Sequence, residues 1–114
     1  MKVAIVGSRN YQDLNRVTRY VASLPADTIV VSGGARGVDH EAECAARQRG
    51  LAVLIFPANW NAYGKSAGYR RNAQIVAVAD YVVAFWDGVS KGTLHSMKLA
   101  EQQGKRVIVN PEVH

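Results

Sequence analysis

The chain has 114 residues with a formal net charge of +5, and 48% of them are hydrophobic. This composition supplies a core for a single domain over residues 1–114 and excludes a disordered chain. The longest apolar stretches are too short to span a bilayer, and the presence of one cysteine excludes an internal disulfide. Because Met1 and Lys2 lead directly into a strand-like segment, we expect no signal peptide, no membrane association and a cytoplasmic protein. The positive charge favours an anionic partner.

Short apolar runs alternate with longer amphipathic segments along the chain. The runs predict strands at residues 3–6, 28–31, 52–56, 81–85 and 106–109. The segments between them predict helices at about 13–24, 38–49 and 66–78, and a last helix from an N-cap at Thr93 to Gly104. A loop at residues 57–65 precedes the third helix.

The order of these elements predicts the fold class. Five strands that alternate with four helices favour parallel pairing through right-handed crossovers. The strands are almost continuously apolar, which is typical of strands covered on both faces. We therefore predict an α/β protein: a Rossmann-like three-layer sandwich with a five-stranded parallel sheet in the order 3-2-1-4-5 and helices on both faces.

Glycines, hydroxyl side chains and cations are concentrated in the loops that follow the predicted strands. Ligands of open parallel sheets bind at this edge, where glycine allows close backbone approach and helix N-termini attract anions. The candidate ligand-binding residues are Gly7, Ser8, Arg9, Ser32, Gly33, Gly34, Arg36, Gly37, Asp39, Lys65, Arg71, Asn72, Asp87, Ser90, Gly92 and Thr93. In the last loop, the N–H groups of residues 92–94 are expected to hold a phosphate. The pattern predicts a site for a nucleotide-like phosphate ligand.

Two well-known phosphate motifs match only in part. The dinucleotide fingerprint needs three glycines after the first strand, where this chain has only Gly7. Residues 64–66 resemble the end of a Walker A motif, but Asn59 stands where the motif requires its first glycine. A conventional NAD site and an ATPase P-loop are therefore disfavoured.

Aromatic side chains accompany the same edge. Trp60 is suited either to stacking on a base or to packing the long loop, whereas Trp86 is expected to pack against the sheet. His95 is placed to enter the pocket, and Cys44 is expected in the core. We assign no catalytic residue, and no cluster suggests a metal site.

Four segments resemble one protein superfamily. Residues 32–39, SGGARGVD, are similar to the SGxARGxD loop of the DprA/Smf DNA-processing proteins. With GSR at 7–9, the GK…G…RN pattern at 64–72 and WDGVSKGT at 86–93, the chain resembles the YspA/YpsA-related branch of the SLOG superfamily over essentially its whole length. The resemblance implies a Rossmannoid domain that senses or processes a nucleotide-derived ligand, NAD- or ADP-ribose-like, and it favours a homodimer. No other cofactor is expected.

The LOG phosphoribohydrolases of the same superfamily carry a PGGxGTxxE signature, which residues 90–96 match only in part. The proline is absent, Lys91 replaces a glycine, and neither His95 nor Ser96 supplies the glutamate. These departures argue against hydrolysis without affecting ligand binding.

Three functions stay open. The leading one is binding or sensing of a nucleotide-derived phosphate ligand. The second is cleavage of a nucleotide N-glycosidic bond, for which Asp39, Asp87 or Glu41 would have to supply the carboxylate. The third is single-stranded DNA binding of the DprA type, which the net charge and loop aromatics favour. The short chain, without the additional domains of DprA proteins, speaks against this third function.

Overall fold

A five-stranded parallel sheet organises the computed structural model, which describes residues 1–110. The strands are β1 (Lys2–Gly7), β2 (Ile29–Ser32), β3 (Ala52–Ile55), β4 (Tyr81–Phe85) and β5 (Val107–Asn110). Their order in the sheet is β3-β2-β1-β4-β5, and every pair is parallel. The predicted Rossmann-like α/β fold and its strand order are confirmed. The domain was predicted to extend to residue 114, and residues 111–114 lie outside the described residues.

Helices cover both faces of the sheet. They are α1 (Leu14–Ala22), α2 (Val38–Gln48), α3 (Trp60–Tyr63), α4 (Ala67–Val78) and α5 (Lys91–Gln102). Helices α1 and α2 pack over one face and enclose one hydrophobic cluster, whereas α4 and α5 enclose a second cluster on the other. Within residues 1–110, no helix combines the length and apolar character needed to cross a membrane.

The segment at residues 57–65, predicted as a loop, contains helical structure. Helix α3 begins after Asn59, whose side-chain Oδ1 accepts a hydrogen bond from the N–H of Ala62 at 3.1 Å. A single 3-10 turn at Gly64–Ser66 then leads into α4. The asparagine side chain therefore caps a one-turn helix, which is too short to show a hydrophobic period in the sequence.

Strand β3 contradicts the expectation that every strand is covered on both faces. Leu54 and Ile55 are 39% and 38% exposed, whereas all of Val82 to Phe85 in β4 is buried. Strand β3 pairs only with β2, and the chain that leaves it crosses to the other half of the sheet. No helix therefore covers the outer part of this edge strand fully.

Two cations satisfy helix C-termini at the edge opposite the predicted site. Arg49 donates from Nη1 to the carbonyl of Val21 at 3.0 Å, at the end of α1. Lys105 donates from Nζ to the carbonyl of Ala77 at 3.0 Å, near the end of α4. The last carbonyls of a helix lack partners within the helix, so these side chains have a structural role.

Candidate functional site

A cleft of about 550 Å³ lies at the carboxyl ends of the strands. It is centred on β1 and β4, between which the direction of the crossovers reverses. Its volume is in the range of small-molecule sites. The lining residues are Val6, Gly7, Ser8, Arg9, Asn10, Ala35, Asp39, Trp60, Lys65, Gly68, Tyr69, Arg71, Asn72, Ile75, Asp87, Val89, Ser90, Gly92, Thr93 and Ser96.

Most of the candidate residues meet in this cleft. Those that line it are Gly7, Ser8, Arg9, Asp39, Lys65, Arg71, Asn72, Asp87, Ser90, Gly92 and Thr93. The other five, Ser32, Gly33, Gly34, Arg36 and Gly37, belong to the loop after β2 and do not line it. Three of them, Gly34, Arg36 and Gly37, border a smaller concavity together with Ala35 and His40. Their part in ligand binding stays a prediction.

Three cations line the cleft and form no ion pair with a carboxylate within residues 1–110. They are Arg9, Lys65 and Arg71. The ion pairs formed within residues 1–110 both involve Asp13, at the start of α1, outside the cleft. The charge of the cleft cations is therefore not neutralised by a direct ion pair in the described chain.

Arg71 is held in place by uncharged acceptors. Its Nη1 donates to the carbonyl of Gly33 at 2.8 Å, and its Nε donates to Oδ1 of Asn72 at 3.1 Å. Burial lowers the pKa of Arg71, with a further lowering by the charge of Arg9 and an opposing effect of Asp39. The guanidinium thus stays fixed against the loop after β2 while facing another cation.

A buried carboxylate also lines the cleft. Asp39, in the first turn of α2, is 7% exposed, and its Oδ2 accepts a hydrogen bond from the N–H of Ala35 at 3.2 Å. Burial raises its pKa to about 6, although the Ala35 hydrogen bond and the charge of Arg71 act in the opposite direction. A carboxyl group with this pKa changes protonation state in the range where many enzymes and binding proteins operate.

Sequence reasoning missed the second buried carboxylate of α2. Glu43 is 6% exposed, and its Oε2 accepts a hydrogen bond from Oγ of Ser32 at 2.6 Å. It lies one turn after Asp39, and its charge contributes to the raised pKa of that residue. The position of Glu43 next to Ala42, Ala45 and Ala46 on the apolar side of the helix is the sequence feature that could have indicated its burial. The hydrogen bond places Ser32 beneath the loop rather than in the cleft.

The loop after β4 is closed by its own side chains. Oδ1 of Asp87 accepts hydrogen bonds from the N–H groups of Val89 and Ser90, at 2.9 and 2.8 Å, and these bonds lower its pKa. The N-cap of α5 is Ser90, not Thr93 as predicted: Oγ of Ser90 accepts from the N–H of Thr93 at 3.4 Å. The N–H of Leu94 is also used, by the carbonyl of Ser90.

This capping changes the predicted phosphate contacts of residues 92–94. Of their three N–H groups, that of Gly92 has no acceptor within residues 1–110. The Thr93 hydroxyl lies 3.1 Å from Oγ of Ser90, and the Thr93 side chain is buried. The prediction that all three N–H groups face a ligand is therefore wrong for Thr93 and Leu94.

Ser8 joins the first loop to the fourth. Its N–H donates to the carbonyl of Phe85 at 3.1 Å, and its Oγ accepts from the N–H of Asp87 at 3.2 Å. The residue is 1% exposed, yet it borders the cleft floor. Its first role is to hold the loops after β1 and β4 side by side.

Two aromatic residues of the cleft have exposed side chains. Trp60 and Tyr69 both line it and are each 51% exposed. A Cβ added at Gly68 would lie 3.4 Å from Cη2 of Trp60, so the indole lies over the position that a side chain at residue 68 would occupy. We call Trp60, Gly68 and Tyr69 the aromatic wall.

The remaining singled-out residues take other positions. His95 does not line the cleft: its ring packs edge-on against Tyr69, with centroids 4.6 Å apart. Trp86 packs against the second core cluster as predicted, and its Nε1 donates to the Ser90 carbonyl at 3.0 Å. Cys44 is partly exposed rather than in the core, with Sγ 3.6 Å from Nε2 of His40.

The fold and the cleft define a Rossmann-like domain whose loops build a concave site at the switch point of the sheet. Residues 1–63 match the model of the YspA, cpYpsA-related SLOG family (YAcAr). The Gene 61 protein of Mycobacterium phage D29 is 40% identical over 117 residues, an alignment that covers 94% of each chain. The chain therefore belongs to the YspA, cpYpsA-related SLOG family, which confirms the resemblance drawn from its loops.

Two solved structures share the fold. The X-ray structure of DNA processing protein A (DprA) from Streptococcus pneumoniae matches 98% of this chain with a TM-score of 0.84 and 23% identity. DNA processing protein A from Helicobacter pylori matches 99% with a TM-score of 0.75 and 23% identity. This chain spans 50% of the first protein and 66% of the second.

Proposed function

We propose that the cleft binds a nucleotide-derived phosphate ligand of the NAD or ADP-ribose type, as a sensor of that ligand. The observation that carries the proposal is a set of three cations, Arg9, Lys65 and Arg71, that share one cleft and form no ion pair with any carboxylate of the described residues, 1–110. Charge-assisted hydrogen bonds from such side chains to phosphate are stronger than neutral ones. A bound phosphate would relieve the repulsion between Arg9 and Arg71.

Backbone groups and Asp39 supply the complementary part of the proposed site. Gly7 borders the cleft where the chain leaves β1, and the free N–H of Gly92 lies in the first turn of α5. Helix N-termini and glycine-containing turns favour anions. The Asp39 carboxylate is suited to accept hydrogen bonds from ribose hydroxyls. A phosphate and a ribose would thus each find a partner of matching chemistry.

Two alternative functions make different demands on the same cleft. The H. pylori DprA structure describes single-stranded DNA binding by that protein, and its fold is shared. Cleavage of an N-glycosidic bond would require a free carboxylate. Of the three considered, Oδ1 of Asp87 is held by two amides, and Glu41 accepts from Thr18 outside the cleft. Asp39 is then the residue on which hydrolysis would depend.

Calorimetric titration separates these functions. ADP-ribose, pyrophosphate and an oligothymidine are each titrated at about 50 and about 200 mM salt. We expect the two small ligands to bind and to weaken by no more than about tenfold, because few charges are involved. DNA binding is established instead if oligothymidine binds more tightly than the two small ligands and its affinity falls by roughly a thousandfold or more between the two salt concentrations. Release of free base from ADP-ribose, followed by chromatography, identifies a hydrolase.

A matched pair of arginine variants tests the position of the site. Arg9 lines the cleft, whereas Arg36 borders the smaller concavity, and both are exposed. Arg9→Gln should weaken pyrophosphate binding roughly tenfold because one charge-assisted contact is lost. Arg36→Gln should change it by no more than about twofold. The reverse result would move the phosphate site to the concavity after β2, where Gly34 and Arg36 were predicted to bind it.

A further inference from the structure

The aromatic side chains of the cleft come from one segment of the chain. Trp60 and Tyr69 come from the segment that follows β3, and they are the aromatic residues among those lining the cleft in residues 1–110. Both keep about half of their surface in solvent. Large apolar groups exposed in a concave site are typical of ligand contact, since burial against a partner removes their surface from water.

The other lining residues have different chemistry. The loops after β1 and β4 contribute Ser8, Arg9, Asn10 and Ser90, whereas Lys65 and Arg71 add two cations from the same segment as the aromatic residues. The apolar residue of the loop after β4 is Val89, which is 77% exposed and has no π-face. These residues can hold phosphate and hydroxyl groups, but within residues 1–110 none of them offers an aromatic face on which a second base could stack.

From this asymmetry we infer that the cleft takes a nucleotide with a single aromatic base, such as ADP-ribose or a nucleoside diphosphate, rather than a dinucleotide with two stacked bases. The base lies on the aromatic wall, and the phosphates lie against the three cations of the cleft, Arg9, Lys65 and Arg71. The inference rests on the proposed function and specifies the ligand class and its direction in the cleft. Stacking on aromatic side chains tolerates different bases, so the wall selects for the presence of a base rather than its identity.

The architecture fixes the wall in position. The indole of Trp60 lies over the space left by the missing side chain of Gly68, and Asn59 caps the short helix that carries the indole. The Tyr69 ring is held edge-on by His95. Burial lowers the pKa of His95, which favours the neutral imidazole beside the Tyr69 ring.

The test compares two probes, ADP and pyrophosphate, which differ by the nucleoside. In Trp60→Ala, ADP affinity should fall about 10- to 100-fold, whereas pyrophosphate affinity should change by no more than about twofold. Trp60→Phe keeps a π-face and should recover most of the ADP affinity. NAD should bind no more than about threefold more tightly than ADP-ribose, since its second base finds no stacking surface.

Tyr63 supplies a matched control. It lies on the same short helix, is 50% exposed and stacks on Arg70, with 4.3 Å from its ring centroid to Cζ, but it does not line the cleft. Tyr63→Ala should leave the affinities for ADP and pyrophosphate within about twofold of the parent protein, because no contact to either probe is removed.

The remaining outcomes are decisive in different ways. If Trp60→Ala weakens both probes equally, or if Tyr63→Ala matches it, the wall is structural and the inference is wrong. The inference is also wrong if the parent protein binds pyrophosphate and ADP with equal affinity, or if it binds NAD more than about tenfold more tightly than ADP-ribose. Either result leaves the proposed phosphate site intact. A parent protein that binds neither probe refutes the proposed function itself.

Discussion

The loops that enter α2 and α5 lie at the same sheet edge and have the same strand-to-helix topology, yet they are built differently. At α5, Ser90 caps the helix with its side chain, and Asp87 accepts from two loop amides. At α2, the N-cap is Gly37, which has no side chain to cap the helix. There Asp39 is buried without an ion pair within residues 1–110.

This difference separates a loop held by side-chain caps from one that depends on a glycine conformation. In the loop after β4, Asp87 and Ser90 accept hydrogen bonds from loop amides, so these two side chains hold its shape. The loop before α2 has a glycine at positive φ and leads to a buried carboxyl group with a raised pKa. Substitutions in the two loops should measure how far this contrast extends.

The largest effect is expected at Gly37. Its φ is +75°, and an added Cβ would lie 2.5 Å from the backbone oxygen of Arg9. Gly37→Ala should therefore lower the free energy of unfolding by roughly 4 kcal/mol, from backbone strain and overpacking together. Gly88 in the other loop has φ +87° but open space around it. Gly88→Ala should cost about 1–2 kcal/mol in the same urea titration. Equal costs would show that the two loops are equally constrained.

The second effect depends on pH. The pKa of Asp39 is raised from 3.8 to about 6 in the folded protein, so the folded state retains a proton that the unfolded state has lost. Stability should fall as pH rises from about 4 through about 6, by about 3 kcal/mol at most. Asp39→Asn removes this loss, so it should be more stable than the parent above pH 6 and differ little below pH 4. Urea midpoints across this range provide the measurement.

Asp87 gives the control of opposite sign. Hydrogen bonds from the amides of Val89 and Ser90 lower the pKa of Asp87 in the folded protein. The ionised carboxylate therefore stabilises the fold at a pH above the pKa that Asp87 has in the unfolded chain. This stabilisation is lost as the pH falls through the pKa of the folded state. Asp87→Asn should therefore reduce stability at neutral pH and lose this effect in acid. A parallel response of the two variants would remove the contrast between the loops.

The smallest effect is expected at the α5 cap. Ser90→Ala should lower the free energy of unfolding by about 1 kcal/mol, because the N–H of Thr93 loses its acceptor. Ser90→Asn retains a side-chain acceptor and should restore most of that loss. Thermal unfolding of the three proteins tests this. An unchanged Ser90→Ala protein would show that the cap is redundant with the Asp87 hydrogen bonds.

The fold could be predicted from the sequence because its signals are local and repeated. A unit of apolar strand, glycine-containing loop and amphipathic helix recurs four times before the last strand, and crossover handedness leaves few arrangements. The cleft followed from the same topology, and eleven of the sixteen candidate residues line it. The prediction worked best where the position in the chain alone decides which edge of the sheet a residue occupies.

What the sequence could not provide depends on competition between neighbours. Ser90 and Thr93 are both good caps three residues apart, and only their three-dimensional arrangement decides that Ser90 accepts the hydrogen bond. The burial of Asp39 and Glu43 depends on packing against the sheet, which a helical pattern does not specify for charged residues. Likewise, the exposure of β3 follows from its edge position and not from its apolar composition.

That edge strand has a consequence for how the protein fluctuates. The aromatic wall follows β3 in the chain after a short connection. This strand has only four residues, pairs with β2 alone, and leaves Leu54 and Ile55 exposed. Local opening requires the least free energy where few buried contacts must be broken. Amide protons of β3 should thus exchange with solvent before those of β1 and β4. A base that stacks on Trp60 would slow the hydrogen exchange of the β3 amides. Ligand binding could then be measured at a strand that lies away from the phosphate-binding residues.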